Sequence, residues 1–305
     1  MRYASVLSLS LSMAVLAACG TTLAGARAGD SGKIVRATLN SLEIVFDGQT
    51  GSIVSMSCPG IGKVIEVPRA EAGILDLAYP VPDFEPLRLA SRFSRHARIA
   101  KTDGQVTIHW EKLGASRAFA EPAGRVSATV TLEAAPDGTS VIMSCRIDNQ
   151  SDVAVRQVLF PDCLGLLPIA GVAETEFRTG GTVMRPFVRL AKPTSDYFYA
   201  VNRVFTVFPR RDEDDPTVAR WFGFGTDKGG FVLFPQRRDR QDRAVVMLHL
   251  WERNSKLRIM YNHYVNITKG QTWQSDAYRL TSFKDAWSEG TKPYRTWIER
   301  SREAE

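Results

Sequence analysis

Short runs in which apolar and polar residues alternate, each closed by Gly, Asp or Pro, fill this chain from Leu42 to Leu280. That pattern excludes long helices over most of the sequence, because a strand repeats its faces every two residues and a helix every 3.6. Val126-Ser127-Ala128-Thr129-Val130-Thr131-Leu132 alternates strictly, Pro136-Asp137-Gly138 supplies a turn, and Ser140 to Ile147 resumes the alternation. This predicts a hairpin, as does Leu42 to Phe46 followed by the Asp47-Gly48 turn and Gly51 to Met56. Further strands are expected at Gln105–Glu111, Val153–Phe160, Trp221–Thr226, Gly230–Pro235, Ala244–Glu252, Leu257–Ile267 and Thr272–Leu280. So many strands without intervening helices predict an all-β protein, a large antiparallel β-sandwich. Helical spacing begins only after Phe283, where a short C-terminal helix is expected. Pro293 fits best in the first turn of such a helix, running to about Arg302, since its missing N–H costs nothing there.

The N-terminus reads as an export signal. Arg2 is followed by an apolar run from Val6 to Ala18, too short for a permanent span, which needs roughly 20 residues. Leu16-Ala17-Ala18-Cys19-Gly20 then resembles a bacterial lipobox, in which Cys19 is lipidated. Cleavage further on, near Ala24-Gly25-Ala26 or Ala26-Arg27-Ala28, is the alternative. The expected organisation is a signal peptide at 1–18, a flexible tether at 19–36, a sandwich domain at 37–282 and a connector-like helix at 283–305. Membrane contact is expected only through the lipid anchor.

The net charge of +6 is modest, and basic residues are interleaved with acidic ones in Arg210–Asp215 and Arg237–Arg243. Without a pure basic run carrying aromatics, nucleic-acid binding is not expected. Removing Cys19 leaves Cys58, Cys145 and Cys163, an odd number that allows at most one disulfide. Cys145 lies inside an apolar strand pattern and reads as a small buried hydrophobe. The Cys and His spacings suit no zinc site, so no metal and no cofactor is expected.

Four segments, in order, resemble one family: the opening hairpin Leu42–Met56, the run Val158-Leu159-Phe160-Pro161-Asp162-Cys163-Leu164-Gly165-Leu166-Leu167-Pro168, the run Arg220–Leu233 with its Gly229-Gly230 pair, and the pair Asp285-Ala286-Trp287 and Tyr294-Arg295-Thr296-Trp297. The family is that of bacterial glycoside hydrolases with an N-terminal galactose-mutarotase-like β-sandwich, a supersandwich, followed by a catalytic barrel. The resemblance covers roughly residues 38 to 300. It implies a carbohydrate-associated module. It also puts the catalytic carboxylates on a barrel that this sequence does not include, so no catalytic pair is carried over.

Three functions are therefore expected in different degrees. The first is an exported, non-catalytic module that binds a poly- or oligosaccharide or assists polysaccharide degradation. The second is a truncated or split hydrolase whose barrel is a partner chain. The third is a mutarotase-like epimerase or lyase using His and Glu in the sandwich. The candidate sugar-contacting residues are His249, Trp251, Tyr261 and His263, on two strands of one expected hairpin. A three-residue turn would bring the odd-numbered residues of both strands to one face, whereas a two-residue turn would set His249 and Trp251 beside Met260, Asn262 and Tyr264. Trp221, Arg185 and Asp162 are weaker candidates. Trp287, Tyr294 and Trp297/Ile298 fall on one helical stripe, suited to core packing.

Overall fold

A computed structural model describes residues 33–79, 87–116, 122–179, 182–185, 203–207, 221–236, 244–251 and 256–303. In chain order the strands are β1 (Ile34–Leu39), β2 (Leu42–Asp47), β3 (Ile53–Cys58), β4 (Gly62–Glu66), β5 (Asp76–Tyr79), β6 (Leu87–Ala90), β7 (Ala97–Thr102), β8 (Gln105–Trp110), β9 (Gly114–Ala115), β10 (Val126–Ala134) and β11 (Ser140–Asn149). There follow β12 (Val155–Leu166), β13 (Glu176–Thr179), β14 (Thr182–Met184), β15 (Arg203–Val207), β16 (Phe222–Thr226), β17 (Gly229–Gln236), β18 (Ala244–Trp251), β19 (Lys256–Ile267), β20 (Thr272–Gln274) and β21 (Ala277–Phe283), then helix α1 (Trp287–Glu303). Two antiparallel sheets result. The first runs β1-β2-β3-β4-β12-β19-β18-β15, with β5, β6 and β9 branching from β12. The second runs β14-β13-β16-β17-β21-β11-β10-β8-β7, with β20 beside β11.

The hairpins read from alternation are present. β10 and β11 pair from Val126↔Asn149 to Ala134↔Val141, and β2 pairs with β3. The β16–β17 hairpin turns at Asp227-Lys228 and closes on Thr226↔Gly229, where Gly229 adopts φ 143°, a conformation that favours glycine. Some boundaries differ. Strand β1 starts at Ile34, inside the stretch expected to be tether. β12 continues past Phe160 to Leu166, and the single strand expected at Thr272–Leu280 is two, separated at Ser275-Asp276.

The core lies between the sheets and is rich in aromatic rings. Tyr261 of the first sheet packs on Tyr278 and Phe222 of the second, with centroids 4.7 and 5.5 Å apart, and Phe160 meets Tyr278 edge-on at 5.9 Å. Such contacts add to the stabilisation from area burial. Cys58, Cys145 and Cys163 are all free and buried, and burial pushes the Cys58 and Cys163 thiols up to about 12.

Helix α1 packs on the outer side of the second sheet, against β17 and β21. Tyr294 is buried with Val232, Phe234 and Phe283, while Trp221, Trp287, Trp297 and Ile298 cover the same cluster. The aromatic stripe therefore caps the sandwich it follows. Pro293 sits inside this helix and not in its first turn, because the helix already starts at Trp287. The proline leaves the Glu289 carbonyl without its i+4 donor, and Glu289 is exposed to water. Nearby, Thr291 Oγ1 and Arg295 Nη2 donate to the Ser288 carbonyl at 3.3 and 3.0 Å.

Gly290 gives a test of this packing. A Cβ there would fall 2.4 Å from Phe283 Cδ1 and 2.9 Å from Val232 Cγ2. Helix propensity alone predicts that Gly290→Ala stabilises by about 1 kcal/mol. The close approach predicts destabilisation by about 1–3 kcal/mol instead, measured by urea unfolding. A stabilised variant would show that α1 does not sit against β17 and β21 as described.

Candidate functional site

The candidate site is built on the outer face of the first sheet, and one irregularity in β12 creates it. Pairing between β12 and β19 runs Gln157↔Tyr264, Val158↔His263, Leu159↔Asn262 and then Asp162↔Met260. Three steps along β12 match two along β19, so Phe160-Pro161 forms a bulge carrying one extra residue. Without it, Asp162 would share the inward face of Phe160. With it, Asp162 joins Gln157 and Leu159 on the outer face.

There Asp162 meets Arg258 of β19. Arg258 donates from Nε to Asp162 Oδ1 at 2.7 Å and from Nη2 to Asp162 Oδ2 at 2.6 Å, and also reaches Asp76 Oδ2 of β5 at 3.1 Å. Arg92, just after β6, donates to the same Asp76 oxygen at 2.7 Å, and Arg88 of β6 lies 3.9 Å from it. Arg258, Asp76 and Asp162 are all about 1 % exposed. Burial alone would push the Asp76 carboxyl up, but the guanidiniums of Arg92, Arg258 and Arg88 outweigh it and hold the pKa below the ordinary carboxylate value. Burial likewise opposes the charge on Arg258, yet the two carboxylates hold its proton more firmly than usual.

Beside this ion-paired cluster, one outward row further along the strands, the face is more exposed. Arg88, Ala78, Gln157 and Tyr264 stand opposite one another across β6, β5, β12 and β19. Tyr264 is 48 % exposed, Gln157 is half-buried, and the Arg88 side chain is 39 % exposed. An aromatic ring, an amide and a guanidinium in one row offer a stacking surface and hydrogen-bonding groups to a polyhydroxylated ligand. Among the described residues no group of three or more His, Cys, Asp or Glu is arranged to hold a metal ion.

The four residues expected to form one sugar-contacting cluster do not come together. The connection between β18 and β19 spans four residues, 252–255, and pairs His249 with Arg258 and Trp251 with Lys256. This is the register of an even-numbered turn, so positions 249 and 251 belong to the row of Arg258, Met260, Asn262 and Tyr264. Tyr261 and His263 belong to the other row. They are buried between the sheets, where Tyr261 donates to the Leu233 carbonyl at 3.1 Å. His263 Nε2 contacts the Phe160 carbonyl at 3.0 Å and the Tyr278 hydroxyl at 2.8 Å. Tyr261 and His263 are thus core residues, and the side chains of His249 and Trp251 lie outside the described residues, as does Cys19. Trp221 packs under α1, and Arg185 is exposed, 3.8 Å from Glu176.

Among the candidates whose side chains are described, Asp162 alone belongs to the outer-face network. Sequence reasoning missed Asp76, Arg88, Arg92 and Arg258. A signal did exist for two of them. Asp76 and Arg258 interrupt the apolar runs Ile74–Ala78 and Leu257–Tyr261, and charges inside strands are rarely buried unless paired.

Two predictions test the network. Arg258→Ala leaves two buried carboxylates without their shared partner and is expected to cost about 3–5 kcal/mol in urea unfolding. Wild-type stability would contradict the pairing. For Asp76, a depressed folded-state pKa means that its stabilisation is fully present above the unfolded carboxylate value near 4 and is lost as pH falls through the lower folded value. The acid limb of the stability profile should therefore flatten in Asp76→Asn, and an unchanged limb would contradict the assignment.

Solved structures share this architecture. A galactose mutarotase-like protein from Clostridium acetobutylicum superposes with a TM-score of 0.54 at 8% identity, over 84% of this chain and 96% of that one. One from Lactobacillus casei gives 0.54 at 6% identity, over 82% and 100%. The family 36 α-galactosidase of Geobacillus stearothermophilus gives 0.51 at 9% identity, over 86% of this chain but 42% of its own. Neither a protein-family model nor a curated protein sequence matches the chain. At these identities the likeness is one of fold, and the chain has the galactose mutarotase-like β-sandwich fold, here with a C-terminal helix packed on it.

Proposed function

We propose that this protein is a carbohydrate-binding module whose ligand surface is the outer face of the first sheet. The observation that carries this reading is the row Arg88–Ala78–Gln157–Tyr264, in which an exposed tyrosine shares the outer face with the buried Asp76–Arg258–Asp162 cluster. Exposed aromatic rings within polar surroundings stack on the C–H faces of sugars, while amide and guanidinium groups bond hydroxyls. The mutarotase-like fold supports a sugar as ligand, since the named neighbours are mutarotase-like proteins and an α-galactosidase.

The module is non-catalytic on its own. Asp76 and Asp162 are buried and ion-paired with guanidiniums, which suits a scaffold better than a proton donor, and the guanidiniums hold the Asp76 pKa below the ordinary carboxylate value. A second reading, an accessory to a catalytic barrel on a partner chain, is favoured by the α-galactosidase, of which the matched region is 42%. The protein acts outside the cytoplasm, exported by residues 1–18 and anchored by lipid on Cys19.

Affinity electrophoresis of the full chain through gels containing galactans, mannans or polyuronates tests the central proposal. Retardation by at least one polysaccharide is expected, and Tyr264→Ala should weaken it about tenfold, a loss of one stacking contact, with an unchanged melting temperature. Well-folded protein that migrates freely in every gel would reject the reading. Polarimetry of simple sugars should show anomer interconversion at the buffer rate, and acceleration would make the protein an enzyme. Mass spectrometry should find an acylated N-terminus at Cys19, and an unmodified N-terminus beyond it would reject the anchor.

A further inference from the structure

The charge balance of the outer face bears on what kind of saccharide it takes. Three arginines, Arg88, Arg92 and Arg258, surround two aspartates, Asp76 and Asp162, so the cluster holds one positive charge more than it neutralises. Arg258 is engaged by both carboxylates through Nε and Nη2. The surplus falls on the other two. Arg88 approaches Asp76 no closer than 3.9 Å, beyond hydrogen-bond reach, and its side chain extends toward solvent with 39 % exposure. Burial works against its charge first, and the neighbouring Arg258 and Arg92 add to that, more than Asp76 and Asp162 offset.

Arg92 carries the second observation. Its side chain is 9 % exposed, and it spends Nη2 on Asp76 while Nη1 is buried with no hydrogen-bond partner. Residue 73, next to it, is glycine and places no side chain against Nη1. A Cβ there would lie 3.6 Å from Arg92 Nη1 and 3.3 Å from Asp162 Oδ2. A buried donor without an acceptor costs free energy, so the arrangement suits a ligand oxygen. A neutral hydroxyl would satisfy Nη1 but leave the surplus charge, whereas an anionic oxygen satisfies both. Asp76 Oδ1 is also buried without a partner and calls for a donor. A simple anion lacks one, but a sugar carrying an anionic group has hydroxyl donors beside it.

We propose that the outer face selects saccharides bearing an anionic substituent, a carboxylate or a sulfate ester, held between Arg88 and Arg92. This rests on the glycan-binding reading above and narrows its ligand class. The test compares retardation of the full chain in gels containing polygalacturonate, carrageenan or neutral galactan, at low and at physiological salt. At least one anionic polymer should retard the protein about tenfold more strongly than galactan, and the one that does so identifies the group. Arg88→Gln should abolish the preference, Arg88→Lys should keep most of it, and Lys101→Gln, on β7 of the other sheet, should leave it unchanged. Among the described residues the Arg88 side chain makes no hydrogen bond and supports the cluster only through its 3.9 Å approach to Asp76, so Arg88→Gln is expected to lower the melting temperature only slightly.

Equal retardation by galactan would overturn the anionic selectivity while leaving glycan binding standing. A preference that survives Arg88→Gln, or that falls as much in Lys101→Gln, would assign it to the general positive charge and overturn the site. Free migration in all three gels and in every other polysaccharide would remove both readings.

Discussion

Arg258 is the residue on which the outer face depends. It comes from β19 and clasps Asp162 on β12 and Asp76 on β5, three strands brought together from distant parts of the chain. A buried guanidinium is tolerated only when its charge and its donors are matched, and here two carboxylates supply both. The same clasp orders the strand pairs that carry Arg88, Gln157 and Tyr264, because Asp76 lies on the strand between β6 and β12. The proposed binding surface is therefore an extension of a structural network rather than a separate cluster set on loops.

β19 shows how one strand serves both the core and the surface. Its inward row, with Ile259, Tyr261 and His263, fills the space between the sheets. Its outward row begins with buried Arg258 and Met260 and emerges at Tyr264, which is half in solvent. The transition from sealed to open occurs within six residues. The proposed surface thus has an exposed ring on the same strand as a buried ion-paired network, an arrangement that would position a ligand with little loss of side-chain freedom.

Much of the fold was legible because hairpin signals are local. The turn at Pro136-Asp137-Gly138 and the alternation on either side determine the β10–β11 register without reference to anything distant. The site was less legible for two reasons of parity. The bulge at Phe160-Pro161 shifts Asp162, Cys163 and Leu164 to the faces opposite to those that plain alternation gives, until a second irregularity before Leu166, and a bulge leaves no mark on the alternation of an apolar run. The length of the β18–β19 connection decides whether odd residues meet odd or even, and both registers were compatible with the sequence. His263 drew notice as a chemically versatile residue, whereas its place opposite Val158 makes it a core hydrogen-bonding group. The helix was recognised by its aromatic stripe, but its start was displaced because Pro293 suggested an N-terminus where the chain instead tolerates a missing bond on an exposed turn.

Hydrogen–deuterium exchange of the full chain, with and without a saccharide that it binds, tests the central claim most directly. If the ligand sits on the outer face of the first sheet, added protection should concentrate in β5, β6, β12 and β19, around Asp76, Arg88, Gln157 and Tyr264. Protection confined to α1 or to the second sheet, with these strands unchanged, would contradict the account.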